Sequence, residues 1–497
     1  MTKTTASSTN TKKTQSSVQK KSTDIPKSSN PTEKQVKRTK TDSTTSTESQ
    51  AKKAKANSPT KIENPSKKAK TPATSSSETG EDKSKTDATP PQEQTVQTES
   101  QLIQISTDKN ALLEAIELVK AGISNNPAYP ILGMILLELE TEKQRLKLRS
   151  YNYEFGFSTE IEAGITGKGS IALPAALFYA ILRKFPMGEC LLTLQTNDEA
   201  TDEIVAKLSL KEQPDNFFEI RGLPGNQYPE YPTVSPTTVM ACFSGDFLIS
   251  IFNGSLFAAS NEETKRVLTG THFLLSYNPD KKLTTLKTFT TDGHRMVFSE
   301  GMTKDQSTLD EPVSLTIPVK ALRELQKHLL PSDQIKLYLS ENLCRFQWGL
   351  NELVSRTIEG AYPDCENVIN EILSQSSHSF TCQRGQLQDT LERFLILCTK
   401  SERVMKMKIE SEKDYLSISQ KDVARGQESI PIENFTGKPL KLLYNVNYLL
   451  EIIKAIPNDT IILHLGNSPT DATLITPSIN SSHSLAVHLK YLLAPLA

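Results

Sequence analysis

The chain lacks the marks of several common classes. None of its six cysteines (Cys190, Cys242, Cys344, Cys365, Cys382, Cys398) stands in a Cys-x-x-Cys pair. They lie singly, mostly in apolar runs, and read as small core residues in a reducing compartment rather than a disulfide framework. The seven histidines (272, 294, 328, 378, 464, 483, 488) never pair as His-x-His or His-x-x-x-His. A metal-dependent nuclease needs clustered ligands, so this spacing argues against one. No stretch approaches about 18 apolar residues, so no membrane span is expected. The N-terminus has no apolar segment of the kind a signal peptide needs.

The first hundred residues have almost no large apolar side chains. They hold 19 Lys+Arg against 11 Asp+Glu, and residues 1–70 hold 17 against 5. Such a segment cannot bury enough surface to offset its ordering entropy, so residues 1–100 are expected to be a disordered, basic Ser/Thr/Lys-rich tail. Residues 52–70 have the composition of a nucleic-acid-binding tail, or of a solvated linker. A single arginine and scattered acidic residues argue against a transit peptide. The rest of the chain holds 38 basic against 47 acidic residues, so the total of −1 hides a basic tail on an acidic body. That body is poorly suited to holding DNA by net charge, which needs many neutralised phosphates. It remains compatible with a protein that surrounds DNA and touches it lightly.

What the body does have is a repeated unit. Leu102, Ile103 and Ile105 read as a strand, and Asp108 or Asn110 as the cap of a helix carrying Leu112, Ile116 and Val119. Apolar strands follow, then a helix led by Pro174 with Leu177, Ile181 and Leu182 on its apolar side. The order recurs with helices expected at about 246–260 and 318–330, and again at 385–400 and 446–456. The segments LPAALFYAILRKFP from 173, IPVKALRELQKHLLP from 317 and YNVNYLLEIIKAIP from 444 are equivalent. Each unit is two helices plus many strands, an α+β design in which helices cover one sheet face. Prolines at Tyr228-Pro229-Glu230-Tyr231-Pro232 and Tyr362-Pro363 mark the junctions.

Asp292-Gly293, between the alternating runs Leu286–Phe289 and Met296–Phe298, is a hairpin signal, because both central residues tolerate positive φ. His294 and Arg295 are then expected at the start of the returning strand. Two readings stay open: a turn that simply requires Asp-Gly, or a surface site where His294 and Arg295 flank an apolar pocket floored by Met296. An acid/base pair of Asp292 and His294 is disfavoured, since successive strand residues face opposite ways.

Several segments, in order on three repeats, carry a resemblance. They are Tyr129-Pro130-Ile131-Leu132-Gly133, Leu223-Pro224-Gly225, Val267-Leu268-Thr269-Gly270, Thr291-Asp292-Gly293-His294-Arg295, Ser355-Arg356, Glu359-Gly360, Tyr362-Pro363-Asp364 and Tyr491-Leu492-Leu493-Ala494-Pro495-Leu496. From about residue 101 onward the chain resembles the bacterial DNA polymerase III beta subunit, the replication sliding clamp. The resemblance implies a DNA clamp fold of three tandem domains, at 101–235, 236–370 and 371–497. It implies a head-to-tail homodimer whose ring encircles duplex DNA, with the paired helices lining the hole. It also implies no catalysis and no cofactor or metal. The partners would be the polymerase catalytic subunit, the clamp loader and repair and mismatch proteins, in the cytoplasm at the nucleoid.

The family's peptide pocket maps by motif onto Lys265, Leu268, Thr291, Gly293, His294, Arg295, Met296, Pro363, Asn367, Val368 and the run Leu492, Leu493, Ala494, Pro495, Leu496. It would accept a short peptide beginning with Gln and ending in Leu and an aromatic. The expected DNA-facing cations, in or closing the lining helices, are Arg183, Lys184, Lys320, Arg323, Lys327, Arg403 and Lys454. There are departures. Lys265 replaces the usual Arg, and Ser150-Tyr151-Asn152-Tyr153-Glu154 replaces an Ala-Thr-Asp-Leu-Glu run. Asn126, Ala175 and Ala176 stand where basic residues are common, and Ala494 and Ala497 where Met and a basic residue are usual. A specialised clamp paralogue, or a scaffold binding DNA only through its tail, is the alternative.

Overall fold

The computed structural model describes residues 103–123, 126–196, 204–234, 241–304, 309, 311–399, 403–409, 415–421, 425–478 and 487–496. The tail, Leu102 and Ala497 lie outside the described residues, as does the expected boundary at 235/236.

Six of the seven described α-helices are the ones the sequence pattern calls for. Asp108 opens α1 (Lys109–Lys120), its carboxylate accepting the N–H groups of Asn110 and Ala111 at 2.8 and 3.0 Å. This satisfies two of the donors that a helix start leaves unpaired. Pro174 precedes α2 (Ala175–Lys184). Ser244 caps α3 (Gly245–Ser255), and Pro318 precedes α4 (Val319–His328). The expected extension of α3 to 260 fails, because the chain tightens into a 3-10 turn at Leu256–Ala258. A further helix, α5 (Cys365–Gln375), was not expected. Asp364 caps it, and it buries Cys365 and Ile369. The boundary expected at 370/371 falls inside it. Two more complete the set, α6 (Arg384–Ile396), shorter than the expected 385–400, and α7 (Val446–Ala455), whose first turn bonds the Asn445 side chain. The helices pack in pairs, α1 on α2, α3 on α4 and α6 on α7.

The sheets do not stop at the repeat boundaries. Among the described residues there are sheets of thirteen, nine and four strands, and the two large ones cross the junctions. Strand Asn351–Arg356 of the second repeat pairs antiparallel with Phe155–Glu162 of the first, from Glu352 opposite Ser158 to Ser355 opposite Phe155. Strand Arg295–Lys304 pairs likewise with the last strand, Val487–Leu493. An unpaired strand edge leaves backbone groups without partners, and each repeat completes its neighbour's ladder instead.

The two junctions are built alike. At the first, Asn152 Oδ1 accepts the N–H groups of Glu154 and Phe155, and Arg356 N donates to Glu154 O at 2.8 Å. At the second, Asp292 Oδ1 accepts from His294 and Arg295, and Ala494 N donates to His294 O at 2.9 Å. Ile358 N to Thr316 O matches Leu496 N to Leu443 O, both at 2.8 Å. Each junction also has its own apolar cluster beside the main core. The first gathers Tyr151, Tyr228, Tyr231, Tyr338 and Val354, and the second Phe289, Phe298, Cys365, Ile369, Leu474 and Leu492.

Candidate functional site

The turn at the second junction is held from within. Thr291 Oγ1 donates to Arg295 O at 2.7 Å and accepts the Gly293 N–H at 3.1 Å. Gly293 has φ +93°, and a Cβ built on it would meet nothing within 4 Å. Backbone conformation, not crowding, therefore selects glycine here. Asp292 does not take positive φ. Its carboxylate instead closes an Asx-type turn, so His294 lies in the turn and only Arg295 begins the returning strand. The two-residue hairpin with both residues in positive φ is thus replaced by a longer, side-chain-closed turn. Tyr362 Oη accepts the Thr291 N–H at 3.1 Å from the α5 side, and burial pushes its pKa upward.

Arg295 departs from the expected surface position beside His294. It is 8% exposed and points inward. Its Nε donates to Asp292 Oδ2 at 3.2 Å, Nη2 to Phe257 O at 3.1 Å and Nη1 to Glu451. The guanidinium lies over the rings of Phe257 and Tyr448, at 5.0 and 4.6 Å from their centroids. Arg295 therefore ties the second repeat to α7 of the third. His294, on the exposed side, stacks on Tyr448 with centroids 5.8 Å apart.

Met296 faces the other way, into the junction cluster with Leu492, Leu474 and Ile369. Beside that cluster Pro363, just ahead of α5, and Asn367 and Val368 on α5 are exposed to solvent. Leu492 and Leu493 are buried strand residues, each forming a ladder pair with Met296 or Arg295, so they act as backing and not as exposed lining. Ala494 is exposed, and Pro495 and Leu496 are half-buried along the turn and strand Leu440–Asn445. Leu268 is half-buried on the 3-10 segment Glu263–Thr269, where Lys265 pairs with Glu262 at 3.1 Å. The sequence reading missed Tyr448 and Glu451. The signal was there: Asn447, Tyr448 and Glu451 form the polar face left over once Val446, Leu449, Leu450 and Ile453 are assigned inward.

The expected cations divide. Arg183 and Lys184 are exposed in the last turn of α2, and Lys320 is exposed at the start of α4. Arg323 is half-buried and spends a donor on Leu256 O at 3.0 Å, with burial lowering its pKa. Lys327 is taken by Glu324 at 2.7 Å, and Lys454 by Glu392 at 3.0 Å. Arg403 is on no helix; it precedes strand Val404–Ile409. Lys320 and Arg323 also line a cleft at the first junction with Tyr153, Arg266 and Arg356.

Two strands, one in the first repeat and one in the third, leave backbone open along one side among the described residues. Strand Gln213–Pro224 pairs with Ile204–Leu210 along one side and with Ser170–Pro174 only through Leu223 and Pro224 on the other, and Phe217 and Phe218 on its open stretch are about half exposed. Strand Arg425–Pro431 pairs only with Tyr415–Lys421, and α6, packed on it, ends at Ile396, which is 83% exposed. Burial pushes the thiols of Cys190 and Cys365 up to about 11, and those of Cys344 and Cys382 to about 12, which makes them poor nucleophiles. No helix among the described residues is long and apolar enough to cross a membrane, and none of their His, Cys, Asp and Glu side chains form a group of three able to hold a metal.

Three family models match the chain in tandem. They describe the N-terminal, central and C-terminal domains of the DNA polymerase III beta subunit, and they cover residues 103–232, 244–364 and 374–490. The beta sliding clamp of Synechococcus elongatus is 31% identical over 377 residues, which span 74% of this chain and 94% of that protein. The beta sliding clamp of a Synechocystis species is 30% identical over 72% of this chain and 92% of its own length. The crystal structure of the DNA polymerase sliding clamp from Bacillus subtilis superposes with a TM-score of 0.69 at 20% identity, over 80% of this chain and 99% of that one.

Proposed function

The chain belongs to the DNA polymerase III beta subunit family, and we propose that it works as a sliding clamp, a ring of two protomers that encircles duplex DNA and tethers a polymerase by topology. The observation that carries this is the tandem of three clamp repeats, with the stretch 213–222 of the first open along one side and strand Arg425–Pro431 of the third at a sheet edge. Head-to-tail pairing of Gln213–Gly222 with the partner's Arg425–Pro431 would satisfy both edges and cover Phe217, Phe218 and Ile396. Such pairing closes a ring instead of leaving a growing filament, provided two copies complete the rotation.

On this reading the acidic body suits sliding, because strong phosphate contacts would hold the ring in place. The clamp does no chemistry of its own. Asp292 is committed to closing its turn, and His294 to a ring contact. The partner site is the rim of the second junction: His294, Gly293, Ala494, Pro495, Leu496, Pro363 ahead of α5, and the α5 residues Asn367 and Val368. It would take a Gln-Leu-aromatic peptide, with the apolar cluster supplying affinity and the turn's backbone groups fixing direction. Clamp loader, repair proteins and residence at the nucleoid follow from the same reading.

The test is retention on a nicked circular plasmid after incubation with a clamp loader and ATP, before and after the plasmid is linearised. Retention on the circle and loss from the linear form is the expected result. Equal, salt-sensitive binding to both would overturn it and assign DNA binding to the basic tail.

A further inference from the structure

The cleft at the first junction is the repeat counterpart of the peptide site. Its rim is Tyr153, Glu154, Arg356, Thr357 and Ile358, which match Gly293, His294, Ala494, Pro495 and Leu496 through the hydrogen-bond pattern common to both junctions. It encloses about 490 Å³, within the ~300–1,000 Å³ of ligand pockets. Its chemistry differs from its counterpart's. Arg266, Lys320, Arg323 and Arg356 line it against Glu154 and Glu263, an excess of positive charge on a body that is acidic elsewhere.

Two of these cations are held in place. Arg356 Nε donates to Tyr153 O at 3.0 Å and to Tyr151 Oη at 3.3 Å, and Arg323 donates to Leu256 O. Arg266 and Lys320 are exposed and free to reach a ligand. The second observation is conformational. Tyr153 occupies the left-handed region, φ +71°, where the other junction has Gly293 at +93°. An aromatic side chain rarely adopts this conformation, and such outliers gather at ligand clamps. Here the strained residue is also half exposed, its ring set edge-on to Tyr151 at 5.6 Å. The turn thus presents an aromatic face beside a cationic floor.

We propose that this cleft is a second docking site, for a short partner peptide that carries acidic residues next to an apolar or aromatic one. The aromatic would pack against Tyr153, Pro318 and Ile358, and the carboxylates would meet Arg266 and Lys320. A ring would then offer each protomer two peptide sites of different charge, so that two partners could hold one clamp without competing. The inference borrows its register from the peptide-site reading, yet its chemistry stands on the residues of this cleft.

The test uses the full chain and a fluorescein-labelled probe, Asp-Glu-Leu-Phe-Asp-Leu, read by anisotropy beside a labelled Gln-Leu-aromatic peptide. Saturable binding of the acidic probe is expected. Its affinity should fall at least ~10-fold in the Arg266→Glu, Lys320→Glu double variant, stay unchanged in His294→Ala, and resist competition by the other peptide. Absence of saturable binding, or binding indifferent to the double variant, overturns the proposal. So does displacement by the Gln-Leu-aromatic peptide, which would place the probe at the second junction, or displacement by a short DNA duplex with equal loss of both in the double variant, which would make the cleft a DNA contact. Failure of the Gln-Leu-aromatic peptide alone would remove the peptide-site reading and leave this one standing. A circular dichroism melt of the double variant, both of whose changed side chains are exposed, separates loss of binding from loss of fold.

Discussion

Replacing Arg295 by alanine separates a binding residue from a structural one. The guanidinium makes three donor contacts, to Asp292, Glu451 and Phe257 O, and covers two rings. Removing one member of a buried ion pair costs ~3–5 kcal/mol. The full figure does not apply. Glu451 has a side chain 39% exposed and keeps Asn447, at 2.9 Å. Asp292 keeps two backbone N–H donors. The loss then comes mainly from the orphaned Phe257 carbonyl, at ~1–3 kcal/mol, and the forfeited ring contacts, at ~0.5–2 kcal/mol. A total of about 3 kcal/mol, at ~2–4 °C for each kcal/mol in a folding unit of this size, lowers Tm by roughly 6–12 °C. Calorimetry measures this, and hydrogen exchange locates it. Protection should fall at 291–296 and at the start of α7, while α1 and α2 keep theirs. His294→Ala is the control and should melt like the parent, to within about 0.5 kcal/mol. If Arg295→Ala melts within about 1 °C of the parent yet loses the Gln-Leu-aromatic peptide, the reasoning is wrong, and Arg295 turns outward to ligand.

His294→Ala should weaken that peptide by about tenfold in anisotropy titrations without moving Tm, since the His294 side chain is exposed and its ring contact is with Tyr448, while its backbone bonds survive the change. Phe217→Asp with Phe218→Asp should convert dimer to monomer in sedimentation, because charge on a covered edge repels pairing; an unchanged dimer would place the interface elsewhere. His272, His328 and His464 all have their pKa lowered from 6.5, chiefly by burial. The unfolded chain therefore binds protons first, so their contribution is complete above pH 6.5 and is lost as pH falls through the depressed folded values. The parent should lose stability between pH 7 and 5, and His272→Gln, which removes the ring stacked on Tyr362, should flatten part of that slope.

Helix positions were legible because their signals are local. Asp108 and Pro174 punctuate, and Leu112, Ile116 and Val119 keep the period. The existence of the turn at Asp292-Gly293 was legible for the same reason. Its type was not, because it depends on Asp292 and Thr291 bonding to residues that a propensity argument treats as free. The inward path of Arg295 depends on Glu451, Tyr448 and Phe257, which are distant in sequence. Helix α5 was hidden because the prolines around Tyr362-Pro363 read as a boundary, although Asp364 with Cys365 and Ile369 carries a cap and an apolar spacing. The sheets that cross the junctions could not be read from periodicity, which places side chains in or out but does not name the neighbouring strand.

The pairing of Arg295–Lys304 with Val487–Leu493 also sets a timetable. The two strands lie about 200 residues apart, and synthesis runs at roughly 5–20 residues per second. The middle repeat thus leaves the ribosome with one flank of its sheet bare and waits tens of seconds for the closing strand. During that interval Phe298 and Met296 have no Leu492 to pack against. A nascent chain in this state is an open template for strand addition by other chains, and a truncation ending before Val487 should be found in inclusion bodies. Strand Val487–Leu493 is in this sense a latch on a neighbour, and the middle repeat is finished only when that strand arrives.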